Sequence, residues 1–240
     1  MMELHSAFEK EVEIFVRVCR RLYSKGFVTS HGGNCAWKVD DDIIMITATC
    51  LNKGEHTPED VVFINRQGEK LEGTREPTGE VPMYTHFFCE RPDISSIIHC
   101  HPPCACACCI SAEDDLLMKP VFPEVVLEVG PVPCVPYAAP LTEKLAHSFD
   151  PYLKKYNAYI MENHGLHLVT SRDIEWAWNL VEELECAADS ILRARAAGDI
   201  KTLSREEIEE MDDIISVRNL PRCGAPGENS SLADLYRTEM

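Results

Sequence analysis

The spacing of apolar residues along the chain predicts amphipathic helices mixed with short buried strands. Residues 4–25 carry apolar side chains at helical spacing, and Gly26 marks the end of that helix. Further helices are predicted over residues 79–90, 104–111, 141–155 and 172–197, with Thr78 as the cap of the first. Apolar runs bounded by turn residues predict strands over residues 35–39, 43–47, 61–64, 94–101, 125–135 and 158–169.

The order of these elements bounds the fold class. Helices and strands are mixed without a regular βαβ alternation, which favours a layered α/β or α+β domain over a Rossmann fold or a barrel. The 240 residues are compatible with one domain spanning residues 1–240 and suffice for a sizeable core. Residues from about 218 to 240 are rich in Pro, Gly and Ser, so we expect a C-terminal tail there.

Charge and composition narrow the partners and the compartment. The formal net charge of -17 argues against general nucleic-acid binding, which needs a basic surface. No apolar run is long enough to span a membrane, and the first residues lack the pattern of a signal peptide. The 12 cysteines then fit a reducing compartment better than a disulfide scaffold. We therefore expect a cytoplasmic protein.

Three histidines have the spacing of metal ligands. His99 and His101 are two residues apart on a predicted strand, so both side chains point to one face. Neutral imidazole suits Zn²⁺, although this spacing also arises by chance on exposed strands. His164 follows an apolar strand and precedes a glycine; alone it is typical of a turn residue. As a third ligand it would leave an open coordination position, which is typical of catalytic zinc.

Polar segments elsewhere could complete such a site. Glu80 falls in the first turn of a predicted helix, where a carboxylate is favoured electrostatically. Beside a metal it could serve as ligand and proton carrier, or it could be an ordinary helix-start acid. Residues 32–34, 47–50 and 78–79 offer hydroxyls, an amide or unshielded N–H groups for an anion. The cysteines of residues 104–109 alternate with alanine, which favours packing over metal binding.

Taken in order, these motifs resemble the class II aldolase/adducin family. The match runs from about residue 8 to residue 195, and the combination of motifs is specific although no single motif is. The matching stretches are residues 31–34, 46–49, 76–80, 91–93, 99–102, 135–138, 163–165 and 181–185.

The resemblance implies a fold, a metal and a set of site residues. The family has a three-layer α/β/α fold with a central, largely antiparallel sheet, and it commonly forms homotetramers with active sites between subunits. The implied metal is Zn²⁺, one per subunit, with Mn²⁺, Co²⁺ or Fe²⁺ as alternatives. Its implied ligands are Glu80, His99, His101 and His164, and Glu80 is also the implied acid/base. The positions that match the family's phosphate site are Gly33, Asn34, Thr49, Cys50, Thr78 and Gly79.

The chain departs from the family pattern at several of these positions. Cys50 stands where the family usually has glycine, which costs backbone freedom if that residue needs a positive φ. Gly79 replaces a serine, and Lys53 could supply a compensating cation. The tyrosine donor of fuculose-phosphate aldolase is absent. In the same region Glu124 resembles the second carboxylate of rhamnulose-phosphate aldolase, which implies a second catalytic carboxylate, the alternative being an exposed loop acid.

The resemblance also implies a reaction. It is zinc-dependent retro-aldol cleavage of a ketose 1-phosphate, of the L-fuculose or L-rhamnulose 1-phosphate type, to dihydroxyacetone phosphate and a short aldehyde. Epimerisation, dehydration or decarboxylation of a sugar phosphate could use the same site. A non-catalytic, adducin-like interaction module is an alternative from another class, and the presence of Glu80 and the three histidines argues against it.

Overall fold

A single mixed sheet forms the centre of the computed structural model, which describes residues 3–111 and 116–236. Its strand order is β4-β3-β2-β1-β5-β8-β7-β6. The strands are β1 (Asn34–Asp40), β2 (Ile43–Ile46), β3 (Val62–Ile64), β4 (Lys70–Glu72), β5 (Ser96–Cys100), β6 (Cys134–Val135), β7 (Ala158–Met161) and β8 (Gly165–Thr170). Neighbouring strands in this described sheet pair antiparallel, apart from the parallel pair β6–β7. The predicted largely antiparallel sheet is confirmed.

Helices cover both faces of the sheet, so the predicted three-layer fold is confirmed. The helices are α1 (Leu4–Ala7), α2 (Glu9–Ser24), α3 (Val81–Glu90), α4 (Pro103–Cys109), α5 (Pro123–Glu128), α6 (Glu143–Ser148), α7 (Ile174–Ala197), α8 (Arg205–Arg218) and α9 (Leu232–Leu235). One apolar core contains residues of α2, α4 and α7, and the other contains residues of α3, α6, α8 and α9. Strand residues alternate between these cores, as Ile97 and Ile98 do in β5. None of the helices described here combines the length and apolar character that crossing a membrane requires.

Two sequence predictions were wrong around the β6–β8 edge. The predicted strand 125–135 begins as the helix α5, because Pro123 occupies the first helical turn and its fixed φ suits that position. Only Cys134–Val135 at its end form a strand. The predicted strand 158–169 is a hairpin of β7 and β8, which turns at residues 162–164 with Asn163 at φ +54°.

Helix boundaries also differ from the pattern. The first helix is interrupted at Phe8, and the predicted helix 141–155 ends at Ser148. Glu80 occupies the N-cap position of α3 in place of the predicted Thr78. The polar helix α8 was not predicted, and residues after it fold back so that Leu232 and Tyr236 are buried in the core shared with α8.

The sheet topology brings two chain segments together at one end of β5. Because β5 and β8 are antiparallel neighbours, Cys100 at the end of β5 pairs with Leu166 at the start of β8. The segment that follows β5 therefore lies beside the turn that precedes β8. On the other side of β5, Asn34 at the start of β1 pairs with His99.

Candidate metal centre

Three histidine side chains converge at this end of the sheet. His99 lies on β5, His101 follows that strand, and His164 lies in the turn between β7 and β8. The Nε2 atoms of His99 and His101 are 3.1 Å apart, and one ring nitrogen from each of the three residues lies within 4.8 Å of the others. His99 is buried, whereas the other two rings are half-buried. The convergence that strand alternation predicts for His99 and His101 is therefore present.

Close backbone packing allows the turn to approach the strand end. A Cβ on Gly165 would lie 2.5 Å from the ring of His101 and 2.7 Å from the carbonyl oxygen of Cys100. Any side chain at this position would push the turn away from β5. Gly165 therefore sets the distance between His101 and the His164 that precedes it.

Hydrogen bonding and burial prepare these rings as metal ligands. The Nδ1 of His99 lies 3.0 Å from the carbonyl oxygen of Leu166, to which it donates, so its Nε2 presents a lone pair to the neighbouring rings. Burial lowers the pKa of His99 to about 3 and that of His101 to about 3, and nearby histidine charge adds to both effects. Neutral imidazoles are the form that binds metal ions.

The donor set fits a divalent cation of the zinc type. A bare Nε2 of His99 at 3.1 Å from the Nε2 of His101 needs a shared proton or a shared cation between the two atoms. The Nδ1 of His164 is buried and has no hydrogen-bond partner among the described residues. Three imidazoles with one open position suit Zn²⁺ and related borderline metals.

A buried carboxylate is fixed next to the histidines. Glu80 is 5% exposed, and its Oε2 accepts a 2.8 Å hydrogen bond from the Nδ2 of Asn34. The hydroxyl of Tyr84, one helical turn after Glu80, lies 2.7 Å from the backbone oxygen of Asn34. Burial lowers the pKa of His164, and the negative charge of Glu80 opposes that shift, as it does at His101. The charge of Glu80 therefore acts on two of the three histidines, His101 and His164.

Hydrogen bonds of Thr47, in the second predicted anion-binding segment, connect that segment to the other two. The backbone N–H of Thr47 donates to the oxygen of Cys35, and its hydroxyl accepts from the N–H of Cys35. The carbonyl of Thr47 accepts a 3.0 Å hydrogen bond from the N–H of Thr78. Residues 33–34, 49–50 and 78–79 are thereby brought to one place.

The backbone of this cradle carries one strained residue. Cys50 adopts φ +52°, a left-handed conformation that is unfavourable for a residue with a Cβ. A glycine at this position would avoid that cost. Gly33 has φ +67°, and a Cβ there would lie 2.9 Å from the carbonyl oxygen of His99. Lys53 does not reach the cradle surface, because it is 1% exposed and its Nζ donates to the carbonyl of Leu51. Burial lowers the pKa of Lys53.

Glu124, the predicted second catalytic carboxylate, lies on α5 and not on the strands and turns that carry the histidines. It is exposed in the first turn of α5, and no hydrogen bond or ion pair in the described part of the chain links it to the three histidines. Its electrostatic neighbour is Glu183 on α7. Burial raises the pKa of Glu183 to about 7, and the charges of Glu128 and Glu124 add to that shift.

Sequence reasoning missed two buried residues that lie beside the site. Tyr84 is four residues after Glu80, and this spacing on a helix was a signal that both share a face. His167 alternates with Leu166 and Leu168 on β8 and pairs directly with His99. It is fully buried, and neither ring nitrogen has a hydrogen-bond partner among the described residues.

Comparison with known sequences gives one family. Residues 13–192 match the family described as Class II Aldolase and Adducin N-terminal domain. The chain is 29% identical over 205 residues to 5-deoxy-D-ribulose 1-phosphate aldolase of Bacillus thuringiensis serovar kurstaki, covering 85% of this chain and 94% of the relative. It is also 29% identical over 200 residues to 3-oxo-tetronate 4-phosphate decarboxylase of Pectobacterium atrosepticum, covering 82% of this chain and 89% of the relative.

Solved structures share the fold. YgbL of Klebsiella pneumoniae, a candidate aldolase, epimerase or decarboxylase, superposes with a TM-score of 0.78 at 28% identity, covering 85% of this chain and 98% of that one. An L-fuculose 1-phosphate aldolase superposes with a TM-score of 0.75 at 24% identity, covering 86% and 96%. At that identity the second comparison supports the fold alone.

Proposed function

Because the chain belongs to the class II aldolase and adducin family, we propose that it cleaves a ketose 1-phosphate by a retro-aldol reaction. The products are dihydroxyacetone phosphate and a short aldehyde. The observation that carries the proposal is the convergence of three neutral imidazoles beside a buried glutamate and an anion cradle. An interaction module would have no use for this arrangement.

In this proposal His99, His101 and His164 hold a divalent ion, with Zn²⁺ preferred and Mn²⁺, Co²⁺ or Fe²⁺ as alternatives. Such an ion, when bound, supplies polarisation of a substrate carbonyl and stabilisation of the negative charge that develops on its oxygen. The low pKa values of His99 and His101 keep these rings neutral through the physiological range. Neither ring then competes with Glu80 as a proton carrier near pH 7.

Glu80 is the proposed acid/base. Its Oε2 is held by the amide of Asn34, and Tyr84 in turn holds Asn34, so the carboxylate has a fixed orientation. Its Oε1 has no hydrogen-bond partner among the described residues and is the atom that carries the proton to and from the substrate carbon. Removal of such a carboxylate lowers turnover by roughly 10²–10⁴-fold in known general acid–base catalysts.

The substrate phosphate is proposed to bind the cradle of Gly33, Asn34, Thr49, Cys50, Thr78 and Gly79. The protein's net charge of -17 repels an anion at long range, so binding has to come from local N–H groups and hydroxyls. The N–H groups of Thr49 and Thr78 donate to the carbonyls of Glu76 and Thr47, so the proposed donors to the phosphate are the two threonine hydroxyls and the N–H groups of Cys50 and Gly79.

A homotetramer with sites between subunits is part of the proposal. Leu141 is 65% exposed and its side chain packs over Gly79, while Ile110 and Tyr137 are also exposed apolar residues. Ile110 follows Cys109, whose carbonyl accepts from the N–H of Asn163 beside His164. Apolar side chains around the site favour a neighbouring subunit there, and such a neighbour could deliver Glu124 as the second acid/base. Light scattering of the purified protein measures the size of the oligomer. We also propose that the protein is cytoplasmic.

Product analysis tests the reaction. The metal-loaded protein is incubated with L-fuculose, L-rhamnulose and 5-deoxy-D-ribulose 1-phosphates, and dihydroxyacetone phosphate is measured by a coupled reductase. We expect release from at least one sugar, and a loss of roughly 10² or more in kcat for Glu80→Gln when the two proteins are compared at equal metal content. Absence of the product with every sugar, from protein that holds its metal, would contradict the proposal.

Decarboxylation is the second candidate function, favoured by the 29% identity to a 3-oxo-tetronate 4-phosphate decarboxylase. Both reactions leave negative charge on a carbon next to a carbonyl, so the same groups could serve either one. Release of CO₂ from 3-oxo-tetronate 4-phosphate, without any dihydroxyacetone phosphate from the ketose 1-phosphates, would favour this candidate.

A further inference from the structure

A second group of metal-ligating side chains lies where α3 packs against α6. His86 on α3, His147 on α6 and Asp150 just after α6 point to a common centre. The Nε2 of His86 is 2.6 Å from Oδ1 of Asp150, and the Nδ1 of His147 is 3.1 Å from Oδ2 of the same carboxylate. The two imidazole centroids are 4.7 Å apart, and the three ligand atoms lie within 4.8 Å of one another.

The core beneath this group holds it in place. Phe87, next to His86, packs edge-on against Phe149, next to Asp150, with ring centroids 5.0 Å apart. Both phenylalanines are fully buried, so the backbones that carry His86 and Asp150 cannot move apart without opening the core. The three polar side chains are therefore brought together by packing, and their proximity does not depend on the ion pair alone.

The donor set selects a chemical class of ligand. Two imidazole nitrogens and one carboxylate oxygen suit borderline divalent cations such as Zn²⁺, Ni²⁺ and Cu²⁺. Mg²⁺ and Ca²⁺ prefer oxygen donors throughout and are disfavoured here. We propose that His86, His147 and Asp150 form a second divalent-cation site, for Zn²⁺ or a chemically similar ion, separate from the three-histidine centre.

Exposure sets the character of this site. The side chains of His86, His147 and Asp150 are 17%, 60% and 51% exposed. The remaining coordination positions of the ion are therefore filled by water, in contrast to closed structural zinc sites with four protein ligands. The ion exchanges readily with solvent and displaces the protons that now join each imidazole to Asp150.

The proposed second site lies on two helices whose N-terminal ends are close to the residues of the three-histidine centre. The helix α3 that carries His86 starts directly after Glu80, and the segment before α6 packs Leu141 over Gly79. A cation bound to both helices ties these two segments together. We expect such an ion to raise the melting temperature of the protein, whether or not the proposed reaction is correct.

Metal stoichiometry tests the site directly. The protein is dialysed against micromolar Zn²⁺ and its bound metal is counted by elemental analysis. We expect about two ions per chain in the parent and about one in His147→Ala. The double variant His99→Ala/His101→Ala should also retain about one ion, at the second site. The control Lys144→Ala, an exposed substitution on the same helix, should keep both ions. An identical metal count for the parent and His147→Ala would overturn the proposal.

A second measurement distinguishes a metal site from an ion pair that binds no metal. In the His99→Ala/His101→Ala background, Zn²⁺ or Ni²⁺ should raise the melting temperature, and adding His147→Ala should abolish the rise. Asp150→Asn keeps the size of the side chain but removes its charge, so it should weaken the affinity at least ten-fold. If the double variant does not fold, the parent and His147→Ala are titrated by calorimetry. Equal numbers of binding events in these two proteins would also refute the site.

Discussion

The contact between Asn34 and Glu80 permits a sharp test of the site's electrostatics. The substitution Asn34→Asp is nearly isosteric and replaces the amide that donates to Oε2 of Glu80 with a carboxylate, 2.8 Å away. Glu80 is 5% exposed and Asn34 is 8% exposed, so water screens the new pair poorly. Two negative charges at this distance cannot both persist, and the pair must retain a proton.

The distance gives the magnitude. At 2.8 Å and an effective dielectric constant of about 20, the repulsion is about 6 kcal/mol, equivalent to about 4 pKa units. The hydroxyl of Tyr84 stabilises the introduced carboxylate and offsets part of this, so we expect an upward pKa shift of at least about 2 units for the pair. An acid whose pKa is raised by folding binds its proton more tightly in the folded state. The free energy of unfolding therefore falls as pH rises from about 4 through the raised pKa, by about 3 kcal/mol relative to the parent.

Urea unfolding of metal-stripped protein between pH 4 and pH 8 measures this dependence. The matched control Asn34→Ala removes the same hydrogen bond without adding charge, so we expect a loss of about 1–3 kcal/mol with a much shallower pH dependence than in the Asp variant. Parallel pH curves for the Asp and Ala variants would refute the placement of the Asn34 amide against the Glu80 carboxylate.

Three other predictions rest on separate features. Burial lowers the pKa of His99 and His101 to about 3, below the unfolded value of about 6.5, so the metal-free protein should lose stability as pH falls from about 6.5 toward about 3. In urea unfolding, the free energy of unfolding of His101→Phe should depend less steeply on pH than that of the parent. An equally steep dependence would contradict the burial of that ring. Cys50→Gly should raise the free energy of unfolding by about 0.5–1 kcal/mol, because it relieves a left-handed residue at φ +52°; a loss would show that the Cys50 side chain stabilises the loop. His167→Leu should raise it by about 1–2 kcal/mol in the same assay, since it removes two buried ring nitrogens without partners among the described residues, and destabilisation would imply a partner for that ring.

Local periodicity predicted the parts of this protein that depend on local rules. Alternation along β5 was enough to place His99 and His101 on one face. The layered, largely antiparallel fold followed from the motif order through the family resemblance. These features are set by a few neighbouring residues, so sequence reasoning can reach them.

Tertiary packing decided the parts that were wrong. The valine-rich residues 125–135 favour a strand by propensity, but Pro123 starts a helix and Val126 and Val129 pack into the two cores at helical spacing. The helix α8 has few apolar residues, so its periodic signal is weak until the core it covers is known. The catalytic role of Glu124 stays a prediction, because its position relative to the histidines depends on how whole elements and subunits pack, which no local pattern encodes.

The most direct test of the central claim compares the parent with the His99→Ala/His101→Ala variant. Both proteins are loaded with Zn²⁺, analysed for metal, and assayed for dihydroxyacetone phosphate release from the ketose 1-phosphates. The account predicts that the variant holds one ion fewer per chain and loses the activity, while the parent releases the product. A variant as active as the parent, or a parent that holds metal at these histidines and cleaves none of the sugars, would contradict it.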